Sequence, residues 1–167
     1  MIDDAELDEV DAYIAQHKTM LGYVNGWELH YGRDWQVRWP IVDATGVESG
    51  ELCLNVTRDH KHASICCIFR GRPIYRLDVA PKTECKDNWH TAWEQGLPAQ
   101  VCGSHVHGWP ENRAYVKVNG FGKLPVRRPI NGLVASLQDG IGWVAQDLNI
   151  HIAPDQRDLE APLAELL

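Results

Sequence analysis

Long apolar runs are missing from this sequence: none comes near the roughly 18 residues that a membrane helix needs, which excludes a helical span. Positive charge is missing where a secretory leader requires it, because the chain opens MIDDAELDEVDAY; that opening predicts a cytoplasmic protein without an export signal. Basic residues are in the minority, 16 Lys and Arg against 23 Asp and Glu, for a formal net charge of −7. This balance disfavours tight, sequence-independent binding to nucleic acid, an affinity that comes mainly from neutralising phosphates. Cysteines are few and unpaired in pattern: Cys53, Cys66, Cys67, Cys85 and Cys102 are odd in number, two are adjacent, and no C-x2-C knuckle occurs. They are predicted to be small buried hydrophobes in a reducing compartment rather than a disulfide framework. Internal repeats and low-complexity segments are also lacking.

What is present fits one α+β domain over residues 1–167: an antiparallel sheet between an N-terminal and a C-terminal amphipathic helix. Ile2, Leu7, Val10, Ile14 and Leu21 recur at helical spacing, so the spacing predicts a helix over 1–21 that stops by Gly22. The period then changes to two. Trp35, Val37 and Trp39 share one face of a strand, after WELHY and a turn at Gly32. DATGVESG reads as a loop, and ELCLNVT and HASICCIF read as a hairpin around RDHK. In IYRLDVA, Tyr75, Leu77 and Val79 point one way, and Arg76 and Asp78 the other. Residues 81–100 read as a long irregular connection, followed by strands at Ser104–His107 and Arg113–Val118. Leu133, Leu137, Ile141, Val144 and Leu148 mark the second helix, which Gly140 and Gly142 weaken by about 1 kcal/mol each. Residues 153–167, with Asp155, Asp158, Glu160 and Glu165, read as an acidic arm or short docking helix.

The chemistry concentrates in CGSHVHGWPENRAY, residues 102–115. Imidazoles at i and i+2 on a strand stand on one face, some 6 to 7 Å apart at the backbone, within reach of one metal ion or one phosphate. If this strand pairs with the one carrying Arg76 and Asp78, Asp78 supplies a third ligand, and His90 on the connecting loop a further one. A set of Asp78, His90, His105 and His107 suits a catalytic divalent ion. Arg76 and Arg113 are candidates to stabilise developing negative charge, and Glu111 to accept a proton. Trp89, Trp93 and Trp109 are candidates to wall off water. Without metal, His105 and His107 can serve as base and acid in RNA cleavage.

Three other readings compete. Cys85, His90, Cys102, His105 and His107 are all metal-capable, but their spacing lacks the paired knuckles of a structural zinc site. The histidines can be hydrogen-bonded residues with no ligand role. The protein can be a non-catalytic acidic inhibitor that binds a protein partner through Asp3, Asp4 or Asp8. His60 and His62 read as polar residues of a hairpin turn. A nucleic-acid substrate stays in play, because the acids lie mainly at the ends of the chain while Arg70, Arg72, Arg76, Arg113, Lys117, Lys123, Arg127 and Arg128 lie in its middle and later part.

Three resemblances bear on this motif. HVH resembles the His-hydrophobic-His motif of the HUH endonucleases, which implies a metal-bound histidine pair and a nucleophilic tyrosine; here Tyr115 lies only eight residues beyond His107, and an upstream Tyr13, Tyr23 or Tyr31 is the alternative. HVH with Glu111 also resembles part of the first cupin motif, which implies a β-barrel metal site, and the second cupin motif has no counterpart. RLDV, His90 and SHVHGW together are similar to a group of small uncharacterised bacterial and phage proteins, which implies a mobile-element setting and no established activity. The reading that follows is a phosphodiester-cleaving enzyme, either metal-assisted or histidine-based.

Overall fold

The structure is a computed structural model that describes residues 1–22, 26–157 and 161–162. Its elements are α1 (Asp4–Ala15), β1 (Lys18–Met20), β2 (Glu28–His30), β3 (Asp34–Asp43), β4 (Glu48–Thr57), β5 (Ala63–Phe69), β6 (Arg72–Val79), β7 (Cys85–Asp87), a 3-10 turn (Ala92–Gln95), β8 (Gln100–Cys102), β9 (His105–His107), α2 (Trp109–Asn119), β10 (Arg128–Pro129), α3 (Leu137–Asp147), β11 (Ile150–His151) and α4 (Pro154–Arg157). The α+β architecture is as the sequence predicts. The main sheet runs β10-β9-β6-β5-β4-β3-β1-β11, with β2 on β3, as an open path rather than the closed barrel a cupin likeness implies. Only β1 and β11 pair in parallel in that path.

The register sorts residues into rungs across the sheet, and directly opposed residues share a face. One rung is Val37, Leu54, Ile65, Leu77 and Val106, all buried. Burying each such side chain contributes about 1.5–3 kcal/mol. This face packs on α1 through Leu7, Val10 and Tyr13, and on α3 through Leu137, Ile141 and Val144. The rungs on either side are polar: Gln36, Asn55, Ser64, Asp78, His105, and Arg38, Cys53, Cys66, Arg76, His107. A strict period of two over five strands therefore gives the sheet one apolar face and one face that bears chemistry.

Several expectations are corrected. The first helix ends at Ala15, because Lys18 turns back beneath it: its Nζ donates to the carbonyls of Tyr13 (2.7 Å), Ile14 (3.1 Å) and Gln16 (2.7 Å). A cation there caps the helix C-terminus and its dipole, and residues 18–20 are free to form β1. Arg113–Val118 is helix, not strand. Trp109, Asn112 and Val116 are its buried residues, at i, i+3 and i+7, and Pro110 is accommodated in its first turn. A polar Asn in the buried stripe hid the helical period. The 81–100 connection contains β7, the 3-10 turn and the start of β8. Gly140, a weak point by propensity, is where α3 meets the sheet most closely: a Cβ there would stand 3.1–3.3 Å from Ile65, Leu77 and Val79. Of the 153–167 arm, α4 is described and its Gln156 reaches the Met20 carbonyl, whereas Asp158, Glu160 and Glu165 lie outside the described residues, as does Tyr23.

Cys85 and Cys102 do not behave as the other cysteines do. They face each other across β7 and β8, with Cα atoms 3.9 Å apart, and form a disulfide. Such bonds belong to oxidising settings, which runs against the reducing compartment expected from the cysteine pattern. Cys53 and Cys67 are buried and Cys66 half-buried, all three free. No described helix is long and apolar enough to cross a membrane.

Lys18 gives the first testable consequence. It is 1% exposed, and burial pulls its ammonium from the ordinary 10.5 down to about 8. The unfolded chain keeps that proton up to the ordinary value, so between about 8 and 10.5 it binds more protons than the folded chain, and the group's contribution to stability rises with pH across that window. Urea denaturation from pH 7 to 10 is expected to show a rise of up to about 3 kcal/mol from this group, absent in Lys18→Met. Parallel curves for the two proteins would refute it.

Candidate functional site

The site forms where β6 and β9 pair, with Arg76 opposite His107 and Asp78 opposite His105. These strands are separated in sequence by the disulfide-linked β7–β8 ribbon, yet the alternation of each puts its polar pair on the same face. The carboxylate of Asp78 stands 3.4 Å through Oδ2 from Nε2 of His105 and 3.4 Å from Nε2 of His107. Among the described residues, Asp78, His105 and His107 form the one group whose ligand atoms gather within 4.8 Å. Ligands at about 2.1 Å from a tetrahedral ion stand about 3.4 Å from each other, so this spacing fits a metal without rearrangement of the strands.

Both rings are fixed from behind. Nδ1 of His105 donates to the Gly103 carbonyl at 2.8 Å, and Nδ1 of His107 donates to the Leu124 carbonyl at 2.5 Å. A carbonyl only accepts, so each Nδ1 carries a proton, and a ring with that one proton presents a lone pair at Nε2. Metal-binding histidines are oriented in this way. Both side chains are 1% exposed, so the rings are buried, but they face a carboxylate rather than an apolar interior. Nε2 of His105 is buried with no hydrogen-bond partner. A lone pair turned on a carboxylate oxygen away from water is repulsive, and a proton or a metal cation between them removes the conflict.

Arg76 supplies a cation of its own. Its Nε stands 2.9 Å from Asp78 Oδ1, and its Nη2 donates to Asp78 Oδ2 at 3.0 Å and to His107 Nε2 at 2.7 Å. Burial opposes ionisation of Asp78, but the Arg76 guanidinium, set against both of its oxygens, outweighs it and holds the carboxyl well below the usual carboxylate range. His107 moves down as well: burial disfavours its charged form, Asp78 offsets that only in part, and Arg76 adds to it. The result is an ionised carboxylate beside a neutral imidazole, the protonation states that metal binding requires. The Arg76 side chain is 42% exposed.

Two clefts flank the triad. One, of about 220 Å³, reaches Asp78 past Asn55, Thr57, His62, Ser64 and Lys86. The other, of about 300 Å³, is lined by Arg76 and His107 on the sheet side and by residues 122–125 and 127 opposite. His62, a turn residue by sequence, lines the first cleft, and its Nε2 lies 2.5 Å from Glu84 Oε2. Sequence offered no signal for that, because its partner comes from a distant loop.

The remaining candidates lie elsewhere. His90 is exposed and packs on Trp89, outside the ligand group. Glu111 pairs with Arg128 at 2.9 Å, and Arg128 with Asp147, which also accepts from the Tyr75 hydroxyl. Arg128 pairs with Val106 across β9 and β10, so this cluster belongs to the apolar side of the sheet, away from the triad. Arg113 ties α2 to α1 through Asp8 and Asp11, both at 2.9 Å. Trp109 is buried and donates to Asp11, and Trp93 is 70% exposed, so neither walls the triad. Tyr13 stacks on Phe69, Tyr115 meets Trp89 edge-on, and Tyr31 is exposed; none of these contacts involves the histidine pair. With Cys85 and Cys102 joined to each other, the cysteine-containing zinc set is not available. Comparison of the chain with models of protein families, with curated proteins and with solved structures finds no match.

Proposed function

We propose that Asp78, His105 and His107 bind one divalent metal ion and that the site so formed cleaves a phosphodiester, with nucleic acid as the substrate class. The observation that carries the reading is the buried Nε2 of His105, which has no hydrogen-bond partner and faces Asp78 Oδ2 at 3.4 Å. A cation held there would acidify a water and polarise a phosphoryl oxygen. The protein's part is to aim Nε2 of both imidazoles at that position through the Gly103 and Leu124 carbonyls. The same donor set serves non-haem iron(II) oxygenases; the basic cleft beside His107 favours an anionic ester over an oxidisable neutral substrate.

The inhibitor reading has less support, because the acids it needs have internal roles. Asp3 caps α1 by accepting from the Glu6 amide, Asp4 pairs with Lys117, and Asp8 pairs with Arg113. The test is elemental analysis of protein purified without chelator, followed by a panel of short RNA and DNA substrates. One ion per chain is expected, with cleavage lost in EDTA and restored by metal. Cleavage that persists in EDTA would replace this reading with metal-free histidine catalysis. Iron with substrate-dependent oxygen uptake would replace hydrolysis with oxidation.

A further inference from the structure

The chain carries a net charge of −7, yet the cleft on the His107 side of the triad is basic. Arg76 enters it from β6, and Lys123 and Arg127 enter from the segment that follows α2; no acidic residue lines it. Cys66, on the sheet side, adds no negative charge, since burial pushes its thiol up to about 12. Lys123 is exposed and has no acidic partner among the described residues. Arg127 donates to the Asp87 carbonyl, while its Nε is buried without an acceptor. Burial and then the like charge of Arg76 lower the pKa of Arg127, and the carboxylates of Asp78 and Asp87 offset this only in part.

We propose that this cleft binds a tetrahedral oxyanion of the substrate, a phosphoryl group, between Arg76 on one wall and Lys123 and Arg127 on the other. The assignment deepens the metal-site reading and rests on it for the identity of the substrate, though the cleft itself can be tested without metal. Donors from two walls enclose a tetrahedral group better than a planar carboxylate, and guanidinium groups bind phosphate oxygens in a bidentate manner. Arg76 joins the two halves of the site. It contacts Asp78 and His107 on one side, and a cation bound at Asp78 would release it toward the oxyanion.

Inorganic phosphate is the probe, titrated by calorimetry and by amide NMR shifts into metal-stripped and metal-loaded protein at fixed ionic strength, with acetate as the planar control. Phosphate is expected to bind in preference to acetate, to shift the amides of residues 122–127, and to bind about tenfold or more weakly in Arg127→Gln and in Lys123→Gln. Lys123 is exposed, so its variant keeps the test valid if Arg127→Gln fails to fold. Equal affinity in wild type and Lys123→Gln would overturn the proposal, as would loss of binding at moderate chloride concentration or shifts confined to other surfaces. His105→Ala separates the two readings: phosphate binding that survives there in metal-stripped protein supports the subsite whether or not the triad holds metal. If wild type takes up no metal but binds phosphate through Arg127 and Lys123, the metal reading fails and the subsite stands.

Discussion

His105→Ala is expected to lower divalent-metal affinity by about three orders of magnitude, since loss of an orienting partner alone costs about 10- to 100-fold and this change removes a ligand. The ring has one nitrogen on the Gly103 carbonyl and the other turned toward Asp78, with no other hydrogen-bond partner. His107→Ala is expected to lose metal as fully but to differ in one respect: it also removes an acceptor of Arg76 at 2.7 Å, which leaves that guanidinium on Asp78 alone. Truncating a buried ring also costs about 2–4 kcal/mol of stability by cavity formation, so both variants need a folded-state check by circular dichroism before zinc or manganese titration. Retention of wild-type affinity in folded His105→Ala would show that any bound metal sits elsewhere.

The pairing that makes this site was legible from two short alternations. RLDV sends Arg76 and Asp78 one way, HVH sends His105 and His107 one way, and antiparallel pairing of the two strands superposes them. Local period thus specified the faces, and the register of β6 with β9 did the rest. Features that depend on distant backbone were not legible. The Leu124 carbonyl that holds His107 comes from a loop after α2, and that helix was disguised by a buried Asn112, which donates to the carbonyls of Gly108 and Val126. Glu111 and Arg113 sat close to the histidines in sequence, but a helix beginning at Trp109 carries both away to other partners. His90 failed for a related reason: loop position in sequence says nothing of which way the loop folds.

The Cys85–Cys102 bond was not legible in sequence because it arises from a two-stranded ribbon that the polar residues between them conceal, and it leads to the second large effect. Replacing both with serine is expected to lower stability by about 3 kcal/mol, the loop-closure contribution for a bridge of this span, 17 residues. The loss should reach the site as well as the fold. Cys102 immediately precedes Gly103, whose amide donates to the Glu84 carbonyl and whose own carbonyl orients His105. Freed from Cys85, this stretch holds the His105 ring less firmly, so metal affinity should fall by about tenfold, within the range for loss of an orienting partner. Urea denaturation and metal titration of Cys85→Ser/Cys102→Ser check both parts. Reduction of the wild-type protein should reproduce the double variant, because Cys53, Cys66 and Cys67 are already free thiols. Unchanged stability on reduction would mean that the β7–β8 ribbon is held by its hydrogen bonds and by the Asn88 contacts to Pro98 and Arg127, and that the bridge adds nothing to the support of His105.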